Sequence, residues 1–248
     1  MTYRYNSKNP LGFYFQSGNN DLPLDKLQSF WPLRAAGSAD SSSSDLIGNL
    51  PLRANGKVAW AASNPVSGAA LGCADFSAAS TYWRTEGTPA NYTGEGQGVN
   101  WWLSFWFYPK TGAAGDVIAA ASSSSYIGWF AQVSASNELN FAMGSGSVWT
   151  QVATSNTVTY NAWNFGIVGH DGSTGFTSLN GGTAATASGT INNTSSWGIT
   201  FGNWWASGND LNGYVADAAY FVDVSANATS TEIAALCNGG NGNTLLTF

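Results

Sequence analysis

The chain has 248 residues, a net charge of −6 and 9% charged side chains, against about 25% in ordinary soluble domains, while 14% of it is aromatic, with 12 Trp. Intrinsic disorder, which goes with high charge and few aromatics, is excluded. All eight Lys and Arg residues lie between Arg4 and Lys110 and seven carboxylates follow with His170 as the one further cation, so the second half cannot neutralise phosphates and nucleic acid is not an expected partner.

Length alone fits one all-β domain, since sandwiches commonly reach this size and bury a core that needs no disulfide or metal. Residues 1–29 are richer in charge, and Tyr3, Tyr5, Phe13, Tyr14 and Phe15 show no clear period. They are expected to form an N-terminal arm that docks either on its own domain or on a neighbouring subunit. The first residues lack the apolar core of a secretion signal, so synthesis in a cytoplasm is expected, and the sequons at Asn91, Asn192, Asn193 and Asn227 are read as chance. No run reaches the 18 or more apolar residues of a membrane span, and no membrane partner is expected.

From residue 30 to 248 the pattern is one of short strands between Gly, Ser, Asn and Pro turns, as in a sandwich or jelly roll. Phe30-Trp31-Pro32-Leu33 opens it as an edge strand, because Pro32 cannot donate to a ladder. Lys57 to Ala61 and Ala69 to Phe76 follow. Asn100 to Tyr108, with Trp101, Trp102, Phe105, Trp106 and Phe107, predicts a central strand that is apolar on both faces. Further strands are expected over Asp116 to Ala120, Tyr126 to Val133, Glu138 to Met143, Val148 to Ala153, Ala162 to Gly169, Gly175 to Leu179 and Gly198 to Phe201, with Asn180-Gly181-Gly182 as a tight turn. Leu211 to Phe221 reads as a long strand. One short helix closes the domain over Glu232 to Leu236, capped by Ser230 or Thr231 and stopped by Asn238-Gly239-Gly240.

The order of these blocks resembles the laminin-G-like (concanavalin A-like) β-sandwich family. Trp31-Pro32-Leu33, Asp40-Ser41-Ser42, Gly68 to Phe76, Leu103 to Lys110, Asn161 to Phe165, His170-Asp171-Gly172 and the stretch Gly202 to Gly240 carry the likeness, which covers about residues 30–243. It implies a concanavalin A-like jelly roll with an N-terminal arm and one short C-terminal helix. It leaves activity open, because the family holds lectins, adhesion modules, domains attached to hydrolases and phage virion proteins. Calcium, which several members bind through oxygen-rich loops, is implied only weakly: Asp40 and Asp217 are either ligands or surface turn caps, and Ala216 stands where members often carry a second acid.

Chemistry is sparse. The four Glu residues are Glu86, Glu95, Glu138 and Glu232, and no two acids stand two apart, as the paired carboxylates of a glycosidase on such a strand would. His170, the one His, is read as an exposed loop residue rather than a base, and no nucleophile elbow, zinc motif or P-loop is present. Cys73 and Cys237 read as buried thiols, or as a disulfide if their Cα atoms lie within about 7 Å.

Binding is better supported than catalysis. Trp204 and Trp205 are adjacent in a turn-rich loop with Asn209 and Asp210, and adjacent residues of an extended segment face opposite ways. They either pack on the sandwich rim or offer an indole to a sugar or a protein, and Trp149 carries the same two readings. The nearly uncharged composition and the arm lead to the main expectation: a non-catalytic virion structural protein, a capsid decoration or accessory subunit of a bacteriophage, located in the virion and binding neighbouring subunits. The alternative is an extracellular carbohydrate-binding lectin module.

Overall fold

The computed structural model describes residues 22–33, 42–43, 45–47, 50–55, 58–61, 73–78, 81–85, 100–192, 198–204 and 209–237. The arm aromatics Tyr3, Tyr5, Phe13, Tyr14 and Phe15, together with Asp40 and Trp205, lie outside the described residues.

In chain order the strands are β1 (Leu27–Trp31), β2 (Ser42–Ser43), β3 (Leu52–Asn55), β4 (Ala59–Ala61), β5 (Cys73–Asp75), β6 (Tyr82–Thr85), β7 (Trp101–Pro109) and β8 (Val117–Ser124). They continue as β9 (Ile127–Val133), β10 (Glu138–Ser145), β11 (Trp149–Thr157), β12 (Asn164–His170), β13 (Thr174–Leu179), β14 (Ala185–Ser188), β15 (Thr200–Phe201) and β16 (Gly213–Val222), and the helix α1 (Ser230–Cys237) follows. Among the described residues two eight-stranded sheets result. The first runs β14-β13-β12-β7-β16-β5-β4 with β1 also on β16, and the second runs β11-β10-β9-β8-β15-β6-β3-β2. The described residues therefore form an all-β sandwich with one short α-helix and a single 3-10 turn at Leu24–Lys26.

Strand alternation sorts the aromatics into three layers. Trp101, Leu103, Phe105 and Phe107 of β7 point inward and meet Trp129, Phe141 and Tyr220 in the core between the sheets. Trp102 and Trp106 point the other way and join Phe165, Phe221, Ile233 and Leu236 in a second core beneath α1. The both-faces apolar character of β7 thus has a cause: its outer face is also roofed. A third, smaller cluster of Val117, Ala120, Phe130 and Ala142 lies on the outer face of the second sheet.

Several expectations change. The opening strand starts at Leu27, and Leu22 and Leu27 are already buried in the second core. Strands β2, β3, β6 and β14 were not anticipated, since their sequences SS, LRAN, YWRT and ATAS are too short or too charged to stand out. His170 is no exposed loop residue. It ends β12, is 1% exposed, accepts the Gly172 N–H on Nδ1 at 3.0 Å and sets Nε2 3.0 Å from the Gly189 carbonyl. Asp217 is likewise no surface turn cap: it is buried at a bulge of β16 with φ 49°, and its N–H donates to the Pro32 carbonyl. The helix is capped one residue earlier than expected. The Thr229 hydroxyl accepts the Glu232 N–H, and the Glu232 carboxylate accepts the Thr229 N–H at 2.7 Å, a reciprocal capping box. Cys73 and Cys237 are both buried and both free thiols. The Asn180-Gly181 turn forms as expected, with φ 52° and 75°, and joins β13 to β14.

Candidate functional site

The outer face of the second sheet is built from one register row. Gln151, Ala142, Phe130, Ala120, Thr200, Arg84 and Arg53 stand side by side on successive strands from β11 to β3. Pairing puts their side chains on one face, while the neighbours Phe141, Trp129 and Phe201 point into the core. Ala142 and Ala120 are small and flank Phe130, so the middle of the row is a shallow apolar floor.

Two half-buried indoles stand on this floor. Trp149 opens β11, with its ring 4.8 Å from that of Phe130 and nearly perpendicular to it. Gly144 sits directly opposite Trp149 on β10, and a Cβ there would come within 2.7 Å of the indole Cζ3. The missing side chain is what lets the indole lie across β10. Trp204 comes from the segment after β15 and meets Phe130 edge-on at 4.9 Å and Trp149 at 5.7 Å. Tyr126, 42% exposed at the tip of the β8–β9 hairpin, extends the row of rings to 6.0 Å from Trp149. Edge-to-face pairs of this kind contribute about 0.5–1.5 kcal/mol each beyond the area they bury.

Polar groups frame the patch. Asn140 on β10 donates from Nδ2 to Gln151 Oε1 at 2.8 Å, and its own Oδ1 is buried without a hydrogen-bond partner among the described residues. At the other side the segment carrying Trp204 is pinned at its base. Gly202 donates to the Ile118 carbonyl and accepts the Leu211 N–H, and the Asn209 carbonyl accepts the Val117 N–H. Asp210 accepts a hydrogen bond from Asn203 Nδ2. Asp116 accepts the Asn212 N–H at 2.7 Å. Burial pushes the Asp116 carboxyl above its ordinary range; the Asn212 N–H works against that, and the charge of Asp210 adds to it. Asn209 and Asp210 are therefore fasteners of the Trp204 segment, and their polar groups are partly used within it.

The structure brings together Trp149 and Trp204, which are 55 positions apart, with Asn209 and Asp210 at the foot of the same segment. Phe130, Tyr126, Asn140 and Gln151 were missed. The period-2 alternation of Ile127-Gly128-Trp129-Phe130 held the signal for Phe130, because Trp129 in the core forces its neighbour outward. Among the described residues no cluster of three or more His, Cys, Asp or Glu side chains could hold a metal, and no helix is long and apolar enough to cross a membrane.

No protein-family model matches the chain, and no curated protein matches it in sequence. Solved structures do match its fold, a β-sandwich of two antiparallel sheets. Domain 4 of AbnA, a GH43 extracellular arabinanase from Geobacillus stearothermophilus solved in complex with arabinotriose, superposes with TM-score 0.61 at 14% identity, over 84% of this chain and 96% of that one. The binding domain of botulinum neurotoxin DC in complex with SialylT gives TM-score 0.58 at 18% identity, over 87% of this chain and 52% of that one. A Trypanosoma rangeli sialidase gives 0.56 at 13% identity over 89% of this chain, which spans 34% of that enzyme. At such identities the likeness concerns the fold.

Proposed function

We propose that this chain is a non-catalytic carbohydrate-binding module of the lectin type, and that Trp204 and Trp149 are its contact residues. The observation that carries this reading is the meeting of the partly exposed Trp149, Trp204 and Tyr126 around the buried Phe130 on one sheet face. A pyranose or furanose ring offers a face of C–H groups that stacks on an indole, and its hydroxyls need acceptors and donors at the rim. Gln151, exposed at the rim with its Oε1 held by Asn140, supplies an amide N–H group for a hydroxyl.

Two of the superposed structures were solved with a sugar or sialylated compound named in the complex, which agrees with the reading. No comparison adds support to the virion-subunit expectation. The reading of the site as non-catalytic is supported by how its own carboxylates are used: Asp116 accepts the Asn212 N–H and Asp210 accepts from Asn203 Nδ2, both fastening the Trp204 segment.

A glycan array probed with the folded protein tests this. Binding to at least one glycan, reduced tenfold or more in both Trp204→Ala and Trp149→Ala with the melting transition retained, is the expected result. An array without signal, or binding indifferent to both substitutions, would overturn it.

A further inference from the structure

We infer that the ligand is a neutral glycan chain taken up from solution and held along its length, with consecutive sugar rings against Tyr126, Trp149 and Trp204; the inference rests on the aromatic patch being a sugar platform. Trp149 is the middle member of a series of rings. Its centroid lies 6.0 Å from that of Tyr126 and 5.7 Å from that of Trp204, and all three rings keep part of their surface in solvent. A single sugar covers one such interval at a time. The strip therefore offers apolar area that one terminal sugar leaves wet.

The strip is built stiff. The Tyr126 carbonyl accepts the Gly146 N–H at 2.6 Å, which ties the tip of the β8–β9 hairpin to the β10–β11 turn just ahead of Trp149. A Cβ on Gly144 would come within 2.4 Å of that same carbonyl and 2.7 Å of the Trp149 indole, so both groups close in over the bare glycine. Rings fixed before binding cost little further ordering when a chain settles on them.

Tilt decides between a free chain and a flat surface. The Trp149 plane is turned 50° from that of Tyr126 and 39° from that of Trp204. A crystalline polysaccharide face presents coplanar sugars and cannot lie flush on rings turned this far apart, whereas a free chain rotates at each glycosidic bond. Charge decides between neutral and acidic sugars. Residues 111–248, which supply every described part of the patch, hold no Lys or Arg, and their one His, His170, is buried at the end of β12. Asp116 and Asp210 fasten the Trp204 segment, and the exposed side chain at the rim is the neutral amide of Gln151. A ligand carboxylate would lose water there, gain no counter-charge and face two like charges.

The test is titration calorimetry with neutral oligosaccharide ladders cut from xylan, mannan, starch and galactan, with trigalacturonate and sialyllactose as acidic probes. Sedimentation with microcrystalline cellulose and crystalline chitin is run beside it. Affinity on at least one ladder should rise about three- to tenfold with each residue up to the third and then level off, the scale of one ring contact. Neither acidic probe should bind more tightly than the best neutral trisaccharide, and the crystalline solids should leave the protein in solution. After a melting check, Tyr126→Asn, which tolerates the φ of 64° at the hairpin tip, should remove the gain from the third residue and keep the disaccharide affinity. With binding still lost in Trp204→Ala, any of three results would overturn the inference and leave the sugar platform standing: a monosaccharide bound as tightly as its trimer, an acidic probe bound more tightly than every neutral one, or adsorption to a crystalline solid. A length dependence untouched by Tyr126→Asn would overturn it as well. Absence of binding by every probe would overturn both readings together.

Discussion

The two outer faces of the sandwich begin alike and end differently. Each carries large aromatics projected by strand alternation: Trp102, Trp106, Phe165 and Phe221 on the first sheet, Phe130 and Trp149 on the second. On the first sheet the chain returns to cover them. Leu22, Leu27 and Phe30 close one side, and Ile233, Leu236 and Cys237 of α1 close the top, so that Trp102 is 2% exposed. The Trp102 indole even donates to the Ala226 carbonyl in the segment leading to the helix, at 2.9 Å. On the second sheet Trp204 packs over Phe130, while Trp149 stays partly exposed and Tyr126 is 42% exposed. An aromatic on an outer face becomes core or platform according to what the rest of the chain lays over it. Its own identity does not decide.

Substitutions should separate the faces sharply. Phe221→Ala removes a fully buried ring under α1 and is expected to lower the unfolding free energy by about 3–5 kcal/mol, measured by urea denaturation. Sugar affinity of the surviving folded fraction should not change. Trp204→Ala should show the reverse profile: a smaller cost of about 1–3 kcal/mol, from two lost ring contacts at about 0.5–1.5 kcal/mol each, and at least a tenfold loss of glycan binding. Equal stability costs at the two positions would erase the distinction between core and platform.

A gentler probe of the closed face is Thr229→Ala, which removes half of the capping box of α1 and should cost about 1 kcal/mol. Hydrogen exchange should quicken in α1 and stay unchanged in β9 to β11.

Acid should distinguish the faces as well. Asp171 lies beside the closed face, where it accepts from Asn227 Nδ2 at 3.2 Å just ahead of α1. Burial works against its charge, but the N–H groups of Ser173 and Thr174 and the Ser173 hydroxyl outweigh it and hold the carboxyl below its ordinary 3.8. Folding therefore gains from ionised Asp171 above pH 3.8 and loses that gain as pH falls through the folded value. Asp116, under the Trp204 segment, is shifted the other way by burial, so the stability it contributes is present below 3.8 and lost as pH rises through its folded value. Asp171→Asn should flatten the acid limb of the melting profile, whereas Asp116→Asn should slightly raise stability near neutrality. Identical pH profiles for the two variants would contradict this assignment.

The strands with long apolar runs could be read from the sequence because their signal is local. In β7 and β16, alternation places alternate residues in the two cores and marks both as central. Strands β3 and β6 could not be read, because Arg53 and Arg84 face outward and break the apolar pattern that the inward Leu52 and Trp83 supply. His170 was misread for a related reason: Gly166 and Gly169 thin the pattern of β12, and the following Asp171-Gly172 looks like a loop already begun. Trp149 and Trp204 stood out singly as candidates. That they share a platform depends on the register of β9, β10 and β11 and on the path after β15, long-range facts that no short window of sequence contains.

Gly202 takes φ 88° between Phe201 and Asn203, and any side chain there would run into the ring of Phe76. Its backbone ties to Ile118 and Leu211 clamp both ends of the 203–210 segment to the sandwich. The ends of that segment therefore belong to the frame: Asn203, Asn209 and Asp210 are tied into it by hydrogen bonds, so exchanging Asn203 or Asp210 would shift the Trp204 ring without touching it.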